Sequence, residues 1–178
     1  MSNFLRTAVK KSVRSGVSAF VVRYPQRRIL LIARESEPNK GQFCFPGGTH
    51  EFGETISDAT MREVHEETGY LVKPATSSKK HISPYIEQIF PCEKSTSSWV
   101  INCGLYESYA KKQAMEQDIY WEWFATSKDD KECRHISELE ESELIPCFWR
   151  VYEHFMEFDC TVSRLNYRSQ IGNKSLVG

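Results

Sequence analysis

Apolar and polar residues change period several times along this chain, and each change marks an element. Val17 to Tyr24 is β-branched and aromatic, which suits a strand. Pro25 to Arg28 reads as a turn, and Ile29 to Ala33 as a buried strand that completes a hairpin. Glu35 to Gln42 is a polar loop with Pro38, Asn39 and Gly41. Phe43-Cys44-Phe45 leads into Pro46-Gly47-Gly48, with an alternating strand expected to continue from there. The period then lengthens to that of a helix. Thr55-x-x-Asp58 is a helix start of capping-box type, Met61, Val64 and Thr68 form a core-facing stripe, and Gly69 is the C-terminal cap. Leu71-Val72 opens a short strand, and residues 74–80 form a polar loop.

Ile82 to Phe90 and Trp99 to Tyr106 read as a second hairpin around a Ser-rich turn at 93–98. Residues 107–118 are a charged connection expected to begin helically. Ile119 to Phe124 alternates aromatic and polar residues, as a strand does. Residues 125–143 are almost wholly polar and read as a surface excursion with solvated acidic runs. Ser142 is the expected N-cap of a last helix, with Pro146 in its first turn. Ile145, Phe148, Trp149, Tyr152, Phe155 and Met156 recur at helical spacing, and core packing is the simplest reading of that stripe. The order predicts an α/β fold, a mixed sheet with helices on both faces. No repeat or linker divides it. One domain is expected over 16–158, between a basic tail at 1–15 and a C-terminal tail at 159–178 whose patterning is weak.

Composition narrows the partners. A chain of 178 residues, 40% hydrophobic, can bury a sizeable core. It has no apolar run near the length of a membrane span. A net charge of −1 argues against general nucleic-acid binding through the phosphate backbone. Cys44, Cys92, Cys103, Cys133, Cys147 and Cys160 are scattered and form no C-x-x-C pair, which points to free thiols in a reducing, cytoplasmic setting. Cys133-x-His135 lacks the second pair that a structural zinc site needs. Residues 1–15 carry Arg6, Lys10, Lys11 and Arg14 and no acid. They read as a surface tail, with a mitochondrial transit peptide as the alternative.

One stretch alters the picture. Glu51, Glu54, Asp58, Glu63, Glu66 and Glu67 crowd together, and Arg62 is the only Lys or Arg among them. Glu63, Glu66 and Glu67 stand at i, i+3 and i+4, on one helix face, where like charges repel. Glu66 and Glu67 also precede the C-cap, where the helix dipole disfavours anions. A solvated acidic face is the plain alternative. Otherwise such a cluster calls for a cation, and hard carboxylate oxygens select Mg2+ or Mn2+.

Gly48, Glu54, Arg62, Glu63, Val64, Glu66, Glu67 and Gly69 match eight of the nine fixed positions of the Nudix box, G-x5-E-x7-R-E-U-x-E-E-x-G-U, U being bulky and aliphatic. Tyr70 departs from the last U, a packing position. The chain therefore resembles the Nudix hydrolases. Gly41 to Thr55, Trp121-Glu122-Trp123 and Leu144 to Trp149 add a likeness to MutT-like eukaryotic nucleoside triphosphate pyrophosphatases. The resemblance spans roughly residues 16–158. It implies an α/β/α sandwich and Mg2+-dependent hydrolysis of a nucleoside triphosphate to monophosphate and pyrophosphate. Glu63, Glu66 and Glu67 would hold metal, with a carbonyl of the Gly47-Gly48 turn and Glu54 assisting. Glu63 would activate water, and Arg62 would orient a carboxylate. Arg34 would reach the substrate phosphates, and Phe45, His50, Phe148 and Trp149 would form the base pocket. Glu116 is an additional candidate acid. The resemblance also implies frequent homodimers, though no interface is legible. ADP-ribose, a dinucleoside polyphosphate or capped RNA are alternative substrates, and a non-catalytic nucleotide-binding module is an alternative role.

Overall fold

The computed structural model describes residues 12–75, 85–91, 97–115 and 118–157. Strands β1 (Ser12–Arg23), β2 (Arg28–Ala33) and β3 (Phe43–Cys44) precede helix α1 (Ile56–Thr68). Strands β4 (Tyr70–Pro74), β5 (Tyr85–Pro91), β6 (Ser97–Lys111) and β7 (Trp121–Phe124) follow, then 3-10 turns at Ile136–Glu138 and Glu141–Glu143. Helix α2 covers residues 148–157. Strands β1 and β6 pair in parallel from Ser12↔Ser97 to Val22↔Glu107. Antiparallel partners complete a seven-stranded mixed sheet: β4 and β5 on β6, and β1, β3 and β7 on β2.

Period-two alternation sorts the core into two layers. Phe20, Val22, Ile29, Leu31, Leu105 and Phe124 face α2, where they meet Phe148, Val151 and Phe155. Ala19, Val21, Leu30, Tyr106 and Trp123 face the other way, toward Val64 of α1. The sheet is thus buried on both sides, and the expected α/β/α sandwich is present. Among the described residues no helix is long and apolar enough to cross a membrane. Cys44, Cys103, Cys133 and Cys147 are free thiols. Burial pushes Cys103 up to about 12. Residues 1–11 and 158–178, Cys92, Cys160 and Glu116 lie outside the described residues.

Residues 12–15, expected in the basic tail, instead open β1 and pair with Ser97–Val100 of β6. Three further expectations are corrected. Residues 107–111 are not helical. They extend β6, where Tyr70↔Lys111 and Leu71↔Ala110 pair with β4. The backbone groups of β4 need a partner, and that need outweighs the local charge pattern. Ser142 does not cap α2. It lies in a 3-10 turn whose capping box joins Glu140 and Glu143. The residue before a proline favours extended backbone, and Ile145 N–H bonds Phe43 O at 3.2 Å, which delays the helix to residue 148. The 125–143 excursion is not wholly solvated. Ile136 and Leu139 enter the core, and Asp130 pairs bidentately with buried Arg28, its oxygens 2.6 and 2.9 Å from Nε and Nη2. Glu132 joins the same guanidinium. A buried guanidinium requires such partners, and residues more than a hundred positions away supply them.

Candidate active site

Local rules place α1. Thr55 Oγ1 accepts from Asp58 N–H at 3.1 Å, the N-cap that its residue type favours. Gly69, at φ 75°, closes the helix by donating to His65 O at 2.9 Å. Val64 and Thr68 are fully buried against the sheet. The opposite side of the helix is thereby aimed at the segment Pro46–His50. That segment runs beside β1: Val17 N–H bonds Gly48 O at 2.9 Å and Ala19 N–H bonds Pro46 O at 2.8 Å. The expected continuing strand is reduced to an isolated bridge, Gly16↔Thr49. Gly47 has φ 154°, and a Cβ there would strike the backbone of Val17.

The carboxylates converge on Arg62. Its Nε and Nη2 hold Glu54 at 2.7 and 2.9 Å. Nη1 donates to Glu63 Oε1 and Glu66 Oε2, each at 3.0 Å, and Nη2 also reaches Thr49 O at 3.0 Å. These charge-assisted bonds raise the pKa of Arg62 and hold Glu54 below the usual carboxylate range, Arg62 being the main cause. Glu67 turns away from this group. Only 7% exposed, it accepts from Gly47 N–H at 2.9 Å. Among the described residues no three His, Cys, Asp or Glu side chains form a ready-made metal cage. The acids close around a guanidinium instead.

The NUDIX domain family matches residues 13–128, more than half of the chain. This chain belongs to that family. Its Nudix domain is 46% identical over 57 residues to the ADP-ribose pyrophosphatase of Methanocaldococcus jannaschii, covering 32% of this chain and 34% of that protein. It is 48% identical over 99 residues to putative nudix hydrolase 1 of Caenorhabditis elegans, covering 54% and 24%. The chain thus spans well under two thirds of either relative's length. Among solved structures, a MutT NUDIX hydrolase from Burkholderia pseudomallei aligns with TM-score 0.52 and 25% identity over 71% of this chain and 93% of that one. A NUDIX hydrolase from Nitrosomonas europaea aligns with TM-score 0.62 over 83% and 90%; at 19% identity this speaks for the fold alone.

The Nudix domain does not bring the other expected site residues together as a pocket. Phe45 and Phe148 are buried and stacked, centroids 4.9 Å apart and planes 7° apart. Trp149 sits edge-on to Phe148 at 5.2 Å. No base-sized slot lies between Phe45 and Phe148, because both complete the core layer under α2. His50 is a staple: its Nδ1 pairs with Ser15 Oγ at 3.1 Å and its Nε2 with Glu54 O at 2.9 Å. Arg34 differs. It stands at the end of β2, its Nε donates to Pro38 O at 3.0 Å, and it borders an open hollow of about 410 Å³. Cys44 lies beneath; burial pushes its thiol up to about 12, with the charges of Arg34 and Glu67 acting on it in opposite senses. The same hollow is lined by Tyr120, which the alternation of residues 119–124 assigns to a strand but which precedes β7.

Proposed function

We propose that this chain is a Mg2+-dependent nucleotide pyrophosphatase, converting a nucleoside triphosphate to its monophosphate and pyrophosphate. The observation that carries the reading is the gathering of Glu54, Glu63 and Glu66 on one cationic side chain, with Glu67 held against the Gly47-Gly48 turn. Phosphoryl centres are shielded by their own negative charge, so their hydrolysis calls for positive charge and an activated water.

The residues present fit a divalent cation. All the side-chain donors are hard oxygens, three of them already close on a cation, and Gly48 forms a cradle that any Cβ would fill against the Glu63 carboxylate. Glu63, Glu66 and Glu67 would hold Mg2+, with Glu54 and the Gly48 carbonyl beside them; Mn2+ shares the same preferences. Bound there, the ion would neutralise phosphate charge and lower the pKa of water. The chain supplies the rest. Glu63 takes the proton of the attacking water. Arg62 sets the orientation of Glu63 and Glu66 through Nη1. Gly47 N–H positions Glu67. Arg34 meets the substrate phosphates.

A second reading keeps the machinery and changes the substrate to ADP-ribose. It is favoured by the name of the archaeal relative, whose match covers a third of this chain. A panel of nucleoside triphosphates, ADP-ribose and dinucleoside polyphosphates with Mg2+ separates the two, with products resolved by chromatography. The expected result is monophosphate and pyrophosphate from a triphosphate, with Glu63→Gln lowering kcat by about 10²–10⁴-fold. Turnover of ADP-ribose alone selects the second reading. No turnover of any member, with nucleotide binding unchanged in Glu63→Gln, selects a non-catalytic binding module.

A further inference from the structure

Phe45 and Phe148 are stacked on each other, so neither presents a face to a nucleobase. An exposed aromatic does exist in the hollow that Arg34 borders. Tyr120 is 58% exposed and shares with Arg34, Glu35, Lys40 and Asp118 the open hollow of about 410 Å³. Its conformation is set from three directions. Its carbonyl accepts from Ala33 N–H at 2.8 Å, its hydroxyl donates to Glu122 Oε2 at 2.9 Å, and its ring leans on Phe43 with centroids 6.1 Å apart. An aromatic held this way loses little freedom when a ligand stacks on it.

The hollow lies at the end of β2, whose neighbour β3 leads to the acidic helix. Arg34 directly follows β2, and β3, paired with that end of β2, continues into the Gly47-Gly48 turn that binds Glu67. Two cations, two acids and one fixed ring in a single hollow match the parts of a nucleotide: phosphate for Arg34 and Lys40, hydroxyls or ring N–H groups for Glu35 and Asp118, and a base for Tyr120.

We infer that Tyr120 is the base-stacking residue of this chain, seating the nucleoside in the Arg34–Lys40–Asp118 hollow. This deepens the proposed nucleotide chemistry and rests on it. The test is calorimetric binding of AMP and of ribose 5-phosphate, which lacks the base, to the full chain and to Tyr120→Ala, Tyr120→Phe and Arg34→Ala. Tyr120→Ala is expected to weaken AMP by roughly 5- to 150-fold, the range of one base–aromatic stack, and to leave ribose 5-phosphate within about twofold. Tyr120→Phe keeps AMP affinity, and Arg34→Ala weakens both probes. AMP binding that survives Tyr120→Ala, or that falls as far in Tyr120→Phe, overturns the assignment. So does a wild-type chain that binds AMP no better than ribose 5-phosphate. Tyr120-dependent AMP binding in a chain that hydrolyses no nucleotide supports the subsite and removes only the catalytic reading.

Discussion

At Gly48 a single missing methyl group decides where a carboxylate can stand. A Cβ there would run into the Glu63 carboxylate, which is the movable end of a flexible side chain. The backbone at Gly48 is not left-handed, so alanine is conformationally allowed. Gly48→Ala is therefore expected to leave unfolding free energy within about 1 kcal/mol of wild type. The displaced carboxylate is expected to lower kcat by about 10²-fold, the usual penalty for misplacing a catalytic group by an ångström. Denaturant unfolding and steady-state kinetics on one preparation check both halves. A large loss of stability with unchanged kcat would contradict the cradle. Gly47 is the opposite case, since a Cβ there meets β1 backbone rather than a side-chain tip.

Among the elements, α1 is assembled by local rules and α2 by contacts distant in sequence. The Thr55 cap, the buried Val64 and the Gly69 stop all follow from residue type and spacing. The start of α2 instead depends on a bond from Ile145 N–H to Phe43 O, about a hundred positions apart. The aromatic stripe of α2 serves the core. Phe148 is 1% exposed and stacks on Phe45, and Phe155 is fully buried against Phe20. Phe148→Ala is expected to cost about 3–5 kcal/mol, as removal of a buried phenyl ring does. Urea unfolding followed by tryptophan fluorescence measures it, and a loss below about 1 kcal/mol would mean the ring faces a pocket after all.

Over the whole molecule, three arginine clusters act together on the acid limb. Arg62 holds Glu54, Arg28 holds Asp130 and Arg134 holds Glu143, each below the usual carboxylate range. A depressed folded-state pKa means that the unfolded chain binds the proton more readily. The stabilisation is present above the ordinary carboxylate pKa, roughly 4–4.5, and is lost as pH falls through the lowered values. The urea midpoint is accordingly expected to hold steady between about pH 7 and 5 and to fall below about pH 4.5. Asp130→Asn should lower the midpoint at neutral pH and make the acid fall shallower. An acid limb unchanged by that substitution would remove Arg28–Asp130 from the account.

The amino-acid sequence alone located the central parts of β1, β2, β6 and β7, the capped helix α1 and the acidic cluster on it, because these depend on neighbours within one helical turn or one strand. It also determined the sandwich, since alternation in β1 and β2 supplies apolar residues for both faces. Tertiary structure decided what lies beyond that reach. Charge pattern at 107–111 suggested a helix until β4 offered a ladder to complete. The acidic excursion looked solvated until Arg28, 102 positions from Asp130, was buried beneath it. The aromatic residues of α2 looked available for a base until Phe45 stacked on Phe148. Spacing records which groups are near along the chain. Only packing fixes which of them remain open to a ligand, and there Tyr120 and Arg34 share one hollow.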